Sequence, residues 1–335
     1  MELTLQKILK NLKKSSMSSN PKNLTLSNAL RLRSKALNFF EFSSPEELAD
    51  YVVKNSLSVE DICIIGEGTN TVFPRVFNST VLKPNNDHIT IVDDDLSITV
   101  GAGCNWDYLV EECSMNGLHG LENLAGIPGS VGAAPIQNIG AYGKEISEYL
   151  VKVEVFDLTD QKIKQLTNEE CNFGYRTSIF QSKRNFVVTS VTLRLESNFL
   201  PHMAYKDLQN SKVSNSKEMI DLIRATRERK LPDRSSFPNL GSFFKNPVLT
   251  TAEYSKNKNL HSLKNLWQEK DIVKLSAAEL IESAGLKGIK INNVGVSLQH
   301  ALVLTCTGLA TQLDVINMAN LIKTRVKQAF DIELV

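Results

Sequence analysis

Cysteine is scarce in this chain and unpatterned. Five residues (Cys63, Cys104, Cys113, Cys171, Cys306) are spread over 335 positions, and none stands in a C-x-x-C pair. An odd, dispersed set argues against a disulfide framework and against a zinc cluster, and it fits a reducing, cytoplasmic location. The five histidines are scattered as well, so no metal site is expected. An excess of one charge is also missing. Thirty-eight basic and 37 acidic residues leave a net charge of +1, which offers no broad field to nucleic acid or to a membrane surface. No apolar run approaches the roughly 20 residues of a membrane span. Residues 1–23 are rich in Lys, Ser and Asn and lack the apolar stretch and small-residue cleavage site of a secretory leader. Leu3, Leu5, Ile8, Leu9 and Leu12 could line one face of a short helix there, but a frayed terminal extension is the expectation.

What the chain does have is an ordinary globular composition, 42% hydrophobic and 22% charged, over a length that suggests two or three domains. It also has one unusual stretch. Residues 117–143, GLHGLENLAGIPGSVGAAPIQNIGAYG, hold seven glycines and two prolines with almost no charge. Glycine permits close backbone approach and positive φ, and successive bare N–H groups can form a concave anion site. Phosphates and flat cofactor rings are the ligands that need so long a bare backbone. Glu122, Asn123, Gln137, Asn138 and Tyr142 are interleaved with it, and polar groups in so apolar a setting need partners that a ligand would supply.

Elsewhere the pattern is mixed. Ser44-Pro45-Glu46-Glu47 opens a helix through about residue 54. Ile62–Ile65 is a short apolar strand running into Gly66-Glu67-Gly68-Thr69-Asn70, which reads equally as a phosphate loop or as a plain turn. It is not the dinucleotide fingerprint, because the third glycine is absent. Thr90–Val92 and Ser97–Val100 flank an acidic turn, Asp93–Asp95, and Gly101-Ala102-Gly103 then offers a second place for backbone to approach a ligand. Residues 106–113 read as a helix; Val151, Val153, Val155 and Val191, Leu193, Leu195 alternate as strands. A helix over 216–230 ends in Arg224, Arg227, Arg229 and Lys230 and is stopped by Pro232. Ser276–Glu279 opens another, closed by Gly285. Val315, Ala319, Ile322, Val326 and Phe330 mark a final amphipathic helix, with a strand beginning at Ile332. The class is α+β.

Three further segments carry candidate chemistry. In Cys171–Phe180 (CNFGYRTSIF) one arginine, Arg176, stands among aromatics and small polar residues, suited either to a planar anion or to stacking on Tyr175 or Phe173. In Asn239–Pro247 (NLGSFFKNP) Ser242 could be a nucleophile, a proton donor or a turn cap; it is not in G-x-S-x-G, so acyl transfer is disfavoured. The cations Arg227, Arg229 and Lys230 suit a helix C-terminus or a diphosphate.

These blocks, in this order, resemble the UDP-N-acetylenolpyruvoylglucosamine reductase (MurB) flavoenzymes of peptidoglycan precursor synthesis, in their longer subtype. The resemblance runs from about residue 24 to 335 through GEGTN (66–70), GLENLAGIPGSVGAAPIQNIGAYG (120–143), CNFGYRTSIF, KLPD (230–233), GSFFKNP (241–247), KLSAAELIESAGLKG (274–288) and HALVL (300–304). It implies an FAD-binding fold of the vanillyl-alcohol-oxidase (PCMH) type in two subdomains, 24–83 and 84–228, plus a C-terminal α+β substrate-binding domain, 229–335. It implies FAD held by Gly66, Glu67, Gly68, Thr69, Asn70, Gly101, Gly103, Ile127, Pro128, Gly129, Ser130, Gly132, Ala133, Asn138, Gly140, Ala141, Tyr142 and Gly143. NADPH would be the reductant and UDP-N-acetylglucosamine-enolpyruvate the substrate, held by Tyr175, Tyr205, Arg227, Lys230 and Asn246. Arg176 would stabilise developing negative charge and Ser242 would protonate the carbon, in a monomeric cytoplasmic enzyme.

The sequence departs from the family pattern twice. Asn28-Ala29-Leu30-Arg31 stands where the family has Asn-Thr-Phe-Gly. The family's C-terminal catalytic glutamate would fall at position 337, and Glu333 is four residues too early, about 13 Å along a strand, so that role is not assigned to it. Two alternatives follow. One is an FAD oxidase with another substrate, against which GSFFKNP and the Tyr205 loop argue. The other is a truncated flavin- or nucleotide-binding relative with impaired chemistry.

Overall fold

Short runs of β-branched and aromatic residues build two sheets in the N-terminal part of the chain. The computed structural model describes residues 20–92 and 95–335; the apolar positions Leu3–Leu12 and the acidic Asp93 and Asp94 lie outside the described residues. The first sheet contains β1 (Lys22–Asn23), β2 (Lys35–Phe42), β3 (Ile62–Ile64) and β4 (Val76–Pro84) in the order β1-β2-β4-β3, with β2 and β3 both parallel to β4. Helix α1 (Pro45–Lys54) follows β2. Its Ser44 hydroxyl accepts from Glu47 N, and the Glu47 carboxylate accepts from Ser43 N at 2.8 Å. The helix buries Leu48 and Val52 with Phe42 and Leu82 of the first sheet and Phe156 and Val187 of the second. At about 1.5–3 kcal/mol for each large side chain removed from water, this seam holds the two sheets together.

The second sheet is antiparallel: β5 (Ile89–Val92), β6 (Ser97–Gly101), then, after α2 (Trp106–Met115) and the small ribbon β7 (Gly140–Ala141) and β8 (Lys144–Glu145), β9 (Leu150–Asp157), β10 (Lys162–Thr167) and β11 (Phe186–Arg194). The order is β10-β9-β11-β6-β5. Val153, Val155, Val191 and Leu193 are fully buried, as are Trp106 and Leu109 of α2, and α3 (Ser216–Lys230) covers them with Met219, Ile220 and Ile223. Leu231 ends α3 in an extended conformation, as a residue before proline must.

The C-terminal part has two small antiparallel sheets. β12 (Asn239–Ser242) belongs to the first. β13 (Val248–Thr250), α4 (Thr251–Lys256), β14 (Leu266–Glu269), β15 (Ile272–Leu275) and α5 (Ala277–Ser283) come next. β16 (Lys290–Ile291), β17 (Val294–Val296), β18 (Val303–Cys306) and α6 (Gln312–Phe330) complete it. The orders are β12-β18-β17-β16 and β13-β15-β14. The apolar stripe of α6, Val315 to Phe330, is buried in their core. Leu30 and Leu32, from the segment that departs from the family pattern, bury in that same core, so the chain's N-terminal part is anchored to its C-terminal part there. The strand expected from Ile332 is not formed. Asp331 turns the chain at φ 52°, Ile332 and Leu334 are buried, and Lys245 N donates to Val335 O at 2.9 Å. One backbone bond tethers the tail, where a strand needs a ladder.

Asp157 ends β9 and fastens its hairpin. It accepts from Lys164 Nζ at 2.5 Å, Asn185 Nδ2 at 2.6 Å and Thr159 N at 2.9 Å. Burial alone would raise its pKa, but these donors together hold it at about 2. Asp157→Asn should lower stability by about 1.5–3 kcal/mol, the range for hydrogen bonds to a charged group, measured by urea unfolding. Because the folded carboxyl titrates below its unfolded value, its contribution is complete above about pH 4 and lost as pH falls towards about 2. An unchanged acid limb in the Asn variant would contradict this.

Candidate active site

The strand β3 delivers Gly66 opposite the bare loop 127–133. A Cβ on Gly66 would stand 2.5 Å from Ser130 Oγ, which must then rotate away, and one on Gly132 2.5 Å from Ala102 Cβ, where nothing can move aside. The loops are tied directly: Thr69 Oγ1 donates to Pro128 O at 3.2 Å, and Asn70 Nδ2 to Gln137 Oε1 at 3.2 Å. Between them lies a cavity of about 790 Å³, within the ~300–1,000 Å³ of cofactor clefts. Gly66, Thr69, Asn70, Ile127, Pro128, Gly129, Ser130, Gly132 and Ala133 line it. So do residues that neither motif nor spacing marked, among them Ile62, Ile64, Trp106, Arg184 and Phe186. The 38% exposure of Ile64, in an apolar strand, is the trace of that role. Ser130 Oγ is buried without a partner. An unsatisfied buried hydroxyl costs about 1–3 kcal/mol, and a ligand phosphate or ring heteroatom would relieve it. A glycine cradle, an orphaned hydroxyl and apolar walls fit a flavin dinucleotide.

The other sequence-marked positions do not line this cavity, and each has a local reason for its identity. Glu67 accepts from Asn105 Nδ2 at 2.8 Å. Gly68, at φ 66°, would strike Ser27 O at 2.2 Å if it carried a Cβ. Gly101 and Gly103 admit the 85–86 backbone, with Asn86 O at 2.3 Å and Asn85 Cα at 2.7 Å from their Cβ positions. Gly143 faces His202 Nε2 at 2.6 Å. Asn138 donates to Glu145 Oε2 and Gly174 O and accepts from Ser147 N. The polar set of the bare stretch is likewise satisfied by protein: Glu122 by Gly120 N, His119 and Ser216, Asn123 by Tyr142 O and His202 O. Only Gln137 of that set borders the cavity.

Beside the cavity the ribbon β7 joins a second group of residues. Arg176 Nη2 donates to Gly140 O at 2.6 Å. Tyr142 packs edge-on against Tyr205, ring centroids 5.2 Å apart, and Lys230 Nζ lies 5.7 Å from the Tyr205 ring while pairing with Asp207. Arg227 Nε donates to Gly126 O at 3.0 Å. Burial, then the neighbouring Arg176, holds the Arg227 guanidinium below its ordinary pKa; Tyr142 and Asp107 act against this. Burial and Arg227 do the same to Arg234. Arg224 takes both nearby acids, Asp107 and Glu111, so among the described residues Arg176, Arg227 and Arg234 have no carboxylate partner. Arg176 and Arg227, neighbouring cations without an acid, suit an anionic ligand. Lys274 Nζ sits 3.5 Å over the Tyr175 ring, tying the Arg176 turn to β15. Lys274 opens the block 274–288 but carried no assigned role, and Arg234 lies outside every marked block.

Ser242 ends β12 at a bulge. The register steps from Asn239↔Thr305 to Ser242↔Val303, and Gly241 there has φ 72°, the left-handed glycine that such bulges use to re-aim the next side chain. Ser242 is exposed. Asn246, by contrast, accepts from Ala277 N at 3.0 Å and caps α5. Glu333 is exposed and pairs with Lys327. His300 accepts from Leu302 N through Nδ1; burial, then Lys230 and Lys287, keeps its pKa low, so it is a neutral neighbour of the cluster.

Two glycine classes should separate experimentally. Gly101→Ala meets fixed backbone and should cost more than 2 kcal/mol of stability, the scale of strained packing. Gly66→Ala meets only a rotatable hydroxyl and should chiefly lower the bound-flavin absorbance of the purified protein, leaving its unfolding midpoint within about 2 °C. Equal loss of both properties in both variants would refute the distinction.

Comparison with known proteins agrees with this geometry. Residues 37–167 match the family model of an FAD binding domain, and residues 232–335 that of the UDP-N-acetylenolpyruvoylglucosamine reductase C-terminal domain. The UDP-N-acetylenolpyruvoylglucosamine reductase of Aliivibrio fischeri is 40% identical over 90% of this chain and 92% of its own, and that of Shewanella sp. (strain MR-7) 38% identical over 94% of each. The crystal structure of the Thermus caldophilus enzyme superimposes with a TM-score of 0.67 at 25% identity, covering 94% of this chain and 97% of that one. The α+β, two-part FAD-binding fold with its C-terminal domain is thus established, and the chain belongs to the UDP-N-acetylenolpyruvoylglucosamine reductase family.

Proposed function

We propose that this chain is an FAD-dependent oxidoreductase that uses NADPH to reduce the enolpyruvyl group of UDP-N-acetylglucosamine-enolpyruvate, forming UDP-N-acetylmuramate for peptidoglycan. The observation that carries the reading is the continuity of one segment. Ile136, Gln137 and Ile139 line the flavin-sized cavity, while Gly140 and Tyr142, the next residues, hold Arg176 and Tyr205. A ring bound in the cavity is thereby set against an acid-poor cluster of cations. No helix among the described residues is long and apolar enough to cross a membrane; the expected cytoplasmic monomer rests on composition and on the family.

FAD held by the loops at Gly66–Asn70 and Ile127–Ala133 would supply the two-electron chemistry that couples NADPH oxidation to reduction of the enolpyruvyl double bond. The residues of the chain manage the charge and the proton. Arg176 is fixed by Gly140 O through Nη2, which leaves its remaining N–H groups for the substrate carboxylate, where negative charge grows as C3 is reduced. Ser242, turned outward by the Gly241 bulge, donates its proton to C2. Lys230, Tyr205 and Arg227 hold the anionic nucleotide portion. The cluster suits NADPH and sugar nucleotide alike, since both carry a diphosphate, which accounts for the lack of a separate dinucleotide fingerprint.

Oxidation of NADPH that depends on the enolpyruvyl substrate tests this reading; a protein that holds FAD yet gives none would refute it. Ser242→Ala should leave flavin reduction by NADPH intact while turnover falls about 10²–10⁴-fold, the usual contribution of a placed proton donor; equal loss in both half-reactions would exclude that role. Arg176→Lys should lower turnover more than flavin content, because a point charge replaces a planar fork. A colourless variant would assign Arg176 to cofactor retention instead.

A further inference from the structure

Arg234 stands outside every motif described above, yet the fold places it against Gly241, the residue before Ser242. Pro232–Asn239 forms a closed turn. The Asp233 carboxylate accepts from the backbone N–H groups and the hydroxyls of Ser235 and Ser236, Phe237 N donates to Asp233 O, and Asn239 Nδ2 donates to Pro232 O and Phe237 O. This folds the half-buried Arg234 back onto β12, and its Nη2 is 3.7 Å from where a Gly241 Cβ would be. The adjacent acid, Asp233, is consumed by the turn, so it does not neutralise the guanidinium. Ser242 is the next residue, where the register of β12 slips by one and a bulge bends the strand.

We propose that Arg234 is a positioning residue for proton donation: its positive charge, applied across Gly241, lowers the cost of ionising Ser242 Oγ. The inference rests on the function proposed above and extends it. Hydride adds at C3, the C2–C3 π pair moves onto C2 and the carboxylate, and C2 then takes the proton as the Oγ–H bond breaks. The pair of that bond stays on Oγ until solvent returns a proton. A serine hydroxyl is a poor acid, and an alkoxide in a partly desolvated site needs a nearby permanent cation. Arginine remains charged at any working pH, and the burial of Arg234 strengthens its field.

The test compares Arg234→Gln, Arg234→Lys and both in a Ser242→Ala background, using the FAD-loaded enzyme, NADPH and the enolpyruvyl sugar nucleotide. Arg234→Gln should lower kcat about tenfold, with the substrate KM within about twofold and the rate of flavin reduction by NADPH unchanged. Arg234→Lys should recover most of the loss. In the Ser242→Ala background the Gln change should add less than about twofold, because a residue that acts through Ser242 has nothing left to act on. A loss that persists in that background, a rise in KM with kcat unchanged, or equal loss in both half-reactions would overturn the proposal. Should Arg234→Gln fold poorly, Arg234→Lys alone decides, since a purely structural role predicts no recovery of kcat. Wild-type turnover with no effect of either variant removes only this inference; absence of wild-type turnover removes the proposed function as well.

Discussion

Close approach of two backbones without side chains is the constraint on which the site depends. The loop after β3 meets the loop over 127–133 where Gly66 faces Ser130, and the latter meets the end of β6 where Gly132 faces Ala102, each with 2.5 Å available to a Cβ that is absent. Gly103 and Gly101 repeat the device one layer further in, against Asn85 and Asn86. A methyl group on Gly101 or Gly103 would push the first sheet away from the second, and the cavity is the space that their present separation defines. The seam of Leu48, Phe42, Phe156 and Val187 fixes the far side of the same approach. The cofactor cleft is thus a consequence of how tightly two sheets dock, and the glycines share one physical cause although only some of them touch the cavity.

The distribution of charge follows a comparable economy. A net charge of +1 gives no overall attraction for a polyanion, so a local field must come from arrangement. Acids near the site are occupied elsewhere: Asp107 and Glu111 by Arg224, Asp207 by Lys230, Asp233 by its own serine turn. Arg176 and Arg227 are left near one another without counterions, a costly arrangement alone and a favourable one around a diphosphate or a carboxylate. Because these groups are half-buried, salt screens them less than surface charges, and recognition of the anion can persist at cellular ionic strength.

Much of the architecture was legible in the chain itself. Ser44-Pro45 and Ser276 mark helix starts that form as read, Pro232 and Gly285 mark stops, and the alternation over Val151–Val155 and Val191–Leu195 places the central strands. The two glycine loops were legible as places of close backbone approach, and residues of both line the cavity; the flavin family was legible through its ordered motifs. What failed were assignments of partner from residue type. Glu122, Asn123 and Asn138 looked like ligand contacts because buried polar groups need partners, but the sequence does not say whose; here backbone and side-chain groups up to 94 residues away satisfy them. Asn246 caps a helix 31 residues on, a contact that exists only after β13 to β15 have folded. Arg234 and Lys274 carried no assigned role, since their significance comes from a bulge and from a neighbouring sheet.

The remaining feature is where the backbone is strained. Asn138, Tyr142 and Arg176 all have left-handed φ, between 44° and 54°, a conformation that costs roughly 1–2 kcal/mol in a non-glycine residue. Glycine at any of these positions would relieve the backbone. It would also remove the side chain that holds Gly174, packs on Tyr205, or bonds Gly140. The three side chains form one circuit: Asn138 fixes the turn that carries Arg176, Arg176 fixes the ribbon that carries Tyr142, and Tyr142 fixes the loop that carries Tyr205. Strain at each member is offset by the contact it makes to the next, so the circuit is stable only as a whole. That arrangement gives the cation cluster a single geometry against the cavity before any ligand arrives, which electrostatic stabilisation of a developing charge requires.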